Sequence, residues 1–141
     1  MAAQFDDGGI RFIYPENWKL ERENNDDGWT VTVQSPETAF LLLSVNEALP
    51  TSEEVLATTL GVLKADYDDL EFDECVDSIG GQPAVGHDIR FTSLDLTNTC
   101  WTRSFYSAAG TVLVLCQCND LESDTHERVL RAICASLKVD D

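Results

Sequence analysis

Two histidines, five cysteines and a run of acids are the residues of this chain whose types could do chemistry. Nucleophilic catalysis needs a Cys or Ser beside a His that a third group orients. His87 falls on the apolar side of the alternating run Val85, His87, Ile89, Phe91, and its neighbour Asp88 points to the opposite side. His126 falls in the first turn of a closing helix, on the solvent side. Zinc needs four ligands converging as a tetrahedron, usually from two close pairs. Cys116 and Cys118 form one such pair, spaced CxC, with Cys100 on the partner strand and no second pair. Seven acids between Asp66 and Asp77 could gather hard oxygen ligands for calcium. The EF-hand pattern fails there, because the sixth position from Asp66 is Glu71 where the sharp turn needs Gly, and the closing position is Asp77. The chain has no Gly-rich phosphate loop and no GxSxG turn. The expectation is therefore a protein with no catalytic set, no metal ligands and no cofactor.

Nine Lys and Arg against 26 Asp and Glu give a net charge of −17, so the surface repels nucleic-acid phosphates and anionic membranes. A partner should present a basic or an apolar surface. Hydrophobic residues make up 43% of 141 positions, enough for one folded domain spanning residues 1–141. Five cysteines with no CxxC pair read as reduced thiols in a reducing compartment. The opening Met1-Ala2-Ala3-Gln4-Phe5-Asp6-Asp7 has no basic stretch leading into an apolar one, and no segment approaches the roughly 20 apolar residues of a membrane span. A cytoplasmic location is expected.

The elements that must position these residues follow from periodicity and turn chemistry. Ile10 to Tyr14 reads as a strand. Trp18 to Glu23 and Trp29 to Gln34 flank Asn24-Asn25-Asp26-Asp27-Gly28 as a hairpin, with Trp29, Val31 and Val33 on its buried face. Ala39 to Val45 is a nearly unbroken apolar run, as in a central strand, although periodicity alone also allows a helix. Thr51 can cap a helix near Ser52 to Asp68, with Glu54 completing a capping box and Val55, Leu56, Thr59, Leu60, Leu63 and Tyr67 on one face. Phe72 to Ile79 and Ala84 to Ser93 flank the turn Gly80-Gly81-Gln82-Pro83. Thr97 to Tyr106 and Thr111 to Cys118 form another hairpin around Ser107 to Gly110. A helix from about Ser123 to Lys138 buries Val129, Leu130, Ile133, Cys134 and Leu137. Four strands, a helix, four strands and a helix make an α+β domain, a mainly antiparallel sheet with two helices packed on it.

With that order in hand, the chain resembles the PsbP-like superfamily, which includes the bacterial DcrB-like proteins and a fungal Ran-binding import factor. The resemblance rests on Phe12-Ile13-Tyr14-Pro15-Glu16-Asn17-Trp18, the strand Phe40 to Val45, Gly81-Gln82-Pro83-Ala84, the hairpin Trp101 to Cys118 and the helix end Ala135-Ser136-Leu137-Lys138. In size and location it is similar to the Eag-type chaperones of type VI secretion, which shield apolar effector segments. The resemblance implies an accessory or binding protein and brings no catalytic residues with it.

The functional expectation is a non-enzymatic accessory protein or chaperone that binds a polypeptide through an open sheet face. Trp29, Trp101, Phe105 and Tyr106 are the candidate contact residues, large aromatics on strands that supply contact area at modest entropic cost. The alternatives are an enzyme with an unrecognised site and a small-ligand or metal carrier.

Overall fold

Gly8 and Gly9 follow one another at φ +59° and +80°, left-handed values that a side chain resists, and they turn the opening residues back on themselves. In the computed structural model, which describes residues 2–140, this turn joins β1 (Ala2–Asp7) to β2 (Ile10–Pro15). The chain then runs through β3 (Lys19–Asn25), β4 (Gly28–Gln34) and β5 (Phe40–Asn46) to α1 (Ser52–Asp66). Beyond it lie β6 (Glu71–Ile79), β7 (Gln82–Ser93), β8 (Leu96–Ser107), β9 (Gly110–Asn119), α2 (Ser123–Ser136) and the short β10 (Lys138–Val139). Thr51 caps α1 as its sequence predicts, its Oγ1 accepting the Glu54 N–H at 3.1 Å.

The main sheet has seven strands in the order β3-β4-β5-β9-β8-β7-β6, with every neighbouring pair antiparallel. A second sheet, β1-β2-β10, is also antiparallel. The α+β class expected from the sequence is thus the class found. Two strands go beyond that expectation. β1 carries one large apolar side chain, Phe5, and β10 is two residues long, so neither shows a period of its own.

The two faces of the seven-stranded sheet are covered by different elements. On one, Val31, Val33, Leu41, Leu43, Val45, Val112, Val114 and Cys116 meet Phe5, Ile10 and Phe12 of the small sheet and Leu130, Ile133 and Leu137 around α2. On the other, Leu60 of α1 packs with Ile89, Phe91 and Cys100, and Tyr67 stacks on Phe91 with ring centroids 3.9 Å apart. A fully open sheet face required both helices on the same side, and here they lie on opposite sides. α1 packs chiefly on β7, β8 and β9. The rest of the sheet face on that side, toward β4 and β5, carries Thr30, Thr32, Gln34 and Ser44 together with Phe40 and Leu42, all partly exposed.

Candidate functional site

Because β6 is the last strand of the sheet and α1 packs chiefly on β7, β8 and β9, a gap opens between the helix and the edge. It is a cleft of about 690 Å³, walled by Leu56, Ala57 and Leu60 of α1, Phe72 and Val76 of β6, and Val85 and His87 of β7. The register explains the shared wall: Phe72 pairs with Ile89, Glu74 with His87 and Val76 with Val85, so the period of two points all six side chains to the α1 side. Phe72 is 37% exposed and Val76 79%, apolar side chains that both reach solvent at the cleft. The His87 ring meets Phe72 edge-on at 5.3 Å between centroids, and the Lys64 ammonium sits 4.5 Å from the Phe72 ring centre. His87 Nδ1 is buried without a hydrogen-bond partner among the described residues.

Glu53 and Glu74 also line the cleft, and β6 carries Glu71, Asp73 and Asp77 besides. Among the described residues β6 pairs with β7 alone, so its outer edge leaves backbone N–H and C=O groups free. Acids along such an edge keep it from pairing with a like-charged strand while leaving it available to a basic one.

The four aromatics expected to form the contact surface are placed very differently. Trp29 is 6% exposed, against Phe5 at 5.9 Å and under the Arg22 guanidinium at 4.7 Å. Trp101 and Phe105 are 4% and 1% exposed. These three are core side chains, because their strand positions point to the face that the small sheet and α2 cover. Tyr106, on the opposite face, is half exposed, and its hydroxyl accepts the Ser52 N–H at 3.0 Å at the start of α1. The large apolar side chains that β6 leaves exposed at the cleft are Phe72 and Val76. Their signal in the sequence is modest: two apolar positions four apart in a strand otherwise crowded with acids.

Chemistry elsewhere is constrained. His126 lies between two carboxylates, its Nδ1 3.5 Å from Glu122 Oε2 and its Nε2 3.9 Å from Glu37 Oε1. The three groups lie within 4.8 Å of one another, but the acids flank opposite nitrogens of the ring. An imidazole lone pair points along one nitrogen only, so these groups do not aim at a common point. At 3.5 Å the Nδ1 contact is in ion-pair range without being a hydrogen bond. Glu122 is buried and instead accepts from Thr38 Oγ1–H at 2.5 Å, close to the N-terminus of α2 whose dipole favours an anion. Burial pushes the Cys100 thiol up to about 12 and Cys118 to about 11, so both remain protonated at neutral pH.

No protein-family model matches the chain, and no curated protein matches it in sequence. Solved structures do match in fold. Cyanobacterial PsbP (CyanoP) from Synechocystis sp. PCC 6803 superposes with a TM-score of 0.63 at 13% identity, over 99% of this chain and 92% of that one. LpqN of Mycobacterium tuberculosis, involved in cell envelope biogenesis, superposes at 0.58 with 16% identity, over 100% and 91%. A Pseudomonas aeruginosa protein of unknown function does so at 0.58 with 11% identity, over 99% and 98%. The chain has the PsbP-like fold, and identities this low speak for the fold alone. No helix among the described residues is long and apolar enough to cross a membrane.

Proposed function

We propose that the protein is a non-enzymatic accessory protein or chaperone that binds a polypeptide in the cleft between α1 and β6. Its partner is an extended segment with apolar residues on one face and basic residues beside them. The observation that carries this reading is the pair of solvent-exposed apolar side chains, Phe72 and Val76, on an acidic edge strand. Backbone groups of β6 supply pairing, the cleft takes alternate apolar side chains, and the acids select for positive charge. A second copy of this chain is a poor occupant, since each brings a net charge of −17 and its own acidic β6. The cleft volume of about 690 Å³ also lies in the range of small-ligand sites, which keeps a small-ligand carrier as the second reading.

The test uses two fluorescent synthetic peptides, one alternating Val with Lys and one alternating Val with Glu, titrated with the full chain. The Val–Lys peptide should bind and the Val–Glu peptide should not. Val76→Ser, a neutral loss of apolar surface at a site 79% exposed, should weaken binding by about 1–3 kcal/mol without disturbing the fold. Equal binding of both peptides, or an unchanged affinity in Val76→Ser, contradicts the proposal.

A further inference from the structure

Cys116 on β9 and Cys134 on α2 face each other across the core with their Sγ atoms 3.7 Å apart. Cys116 is completely buried, whereas Cys134 is partly exposed. Cys134 lines a second, smaller cavity of about 160 Å³ between α2 and the sheet, together with Trp101, Arg103 and Arg131. The Arg103 guanidinium is held there by Asp88 at 3.0 Å and Asp77 at 3.4 Å. Arg131 lies over the Trp101 ring at 4.7 Å and pairs with Glu127 at 3.6 Å. A thiol with a path to solvent, two cations at its cavity and a second thiol behind it make a different environment from that of any other cysteine in the chain.

We propose that Cys134 and Cys116 are a peroxide-oxidisable pair, with Cys134 the attacking sulfur and Cys116 the resolving one. In the first step the Cys134 thiolate attacks one oxygen of a hydroperoxide. A sulfur–oxygen bond forms, the oxygen–oxygen bond breaks, and hydroxide or alkoxide leaves, giving a sulfenic acid. In the second, Cys116 sulfur attacks that sulfenic sulfur. Its proton and the sulfenic OH depart as water, and a disulfide remains. The peroxide is reduced and the two thiols are oxidised by two electrons.

Proton placement distinguishes the two sulfurs. The hydrogen bond from Cys116 is the main influence that lowers the Cys134 thiol, with the Arg103 and Arg131 charges acting in the same direction against burial. Burial raises Cys116 well above the ordinary thiol value, so in the reduced pair it is the proton donor to Cys134, and it attacks the sulfenic sulfur only as that proton passes to the departing hydroxyl. Bringing the two sulfurs from 3.7 Å to the roughly 2.05 Å of a disulfide asks for a movement of less than about 2 Å between side chains 18 positions apart. The bond would tie α2 to the central strand β9. It lies on the other sheet face from the α1 cleft, so it stands or falls independently of the peptide-binding proposal.

The test treats the reduced, folded full chain with hydrogen peroxide, blocks remaining thiols and maps the tryptic peptides. The expected product is a mass lower by two hydrogens, with peptide 132–138 joined to peptide 104–128 and fragmentation placing the bond at Cys116 rather than Cys118. In Cys116→Ser, dimedone should label Cys134 in place of the disulfide. Cys134→Ser should keep its remaining thiols at peroxide doses that convert the wild type. A bond to another cysteine, first oxidation at Cys75, or folded protein whose thiols survive doses that oxidise the denatured chain would each overturn the proposal. The wild-type map decides the question even where a serine variant fails to fold.

Discussion

His87 and Phe72 meet edge to face at 5.3 Å across the β6–β7 pairing, and this contact joins the acidic edge strand to the floor of the α1 cleft. Its consequence is that Phe72 serves two purposes. It presents part of its ring to solvent, and it holds β6 in register with an imidazole and the Lys64 ammonium.

Phe72→Ala should therefore lower folding stability by about 1–3 kcal/mol, since the ring is 37% exposed and its aromatic and cation–π contacts add to the area it buries. Urea unfolding of the variant beside the wild type measures it. A loss above about 3 kcal/mol would mean that Phe72 is a core residue rather than a cleft wall.

Gly86→Ala should fail to give stable folded protein. A Cβ at this position would stand 1.7 Å from the Thr102 carbonyl oxygen, and a backbone atom in a paired strand cannot step aside as a flexible side chain could. Soluble yield and the far-ultraviolet circular dichroism spectrum check this, and a variant that melts like the wild type contradicts it.

What the sequence made legible followed from repetition. The stripe Leu56, Leu60 and Leu63 marked α1, Leu130, Ile133 and Leu137 marked α2, and Val31 with Val33 marked the covered face of β4. Alternation says that two sides of a strand differ without saying what covers each. Trp101 and Phe105 were thus assigned to an open surface, although α2 and the small sheet lie over them. Which element packs on which face depends on contacts far apart in the chain, such as the Ile13 N–H donating to Ser136 Oγ at 2.9 Å. The cleft was hidden for a related reason. That β6 ends the sheet is a fact of strand order, and its composition reads simply as a solvated acidic run.

Stability should fall with acid in a way that Asp77 shares. The Ser78 N–H, donating to Asp77 at 2.8 Å, and the Arg103 guanidinium hold its carboxyl below the ordinary 3.8. A carboxylate depressed in the folded state contributes stability that is fully present above the unfolded value. That contribution disappears as pH falls through 3.8 toward the lower folded value. Urea melts at pH 6 and pH 3 should show a smaller acid loss for Asp77→Asn than for the wild type. An equal or larger loss in the variant contradicts the assignment.

Amide hydrogen exchange of β6 with and without the Val–Lys peptide tests the central claim most directly, because strand addition acts on backbone groups that no side-chain substitution removes. The account predicts slowed exchange at those amides between Glu71 and Ile79 that face away from β7, with the amides of β3 at the opposite edge unchanged. Exchange in β6 that stays as fast with saturating peptide as without it, or protection that appears at β3 instead, would contradict it.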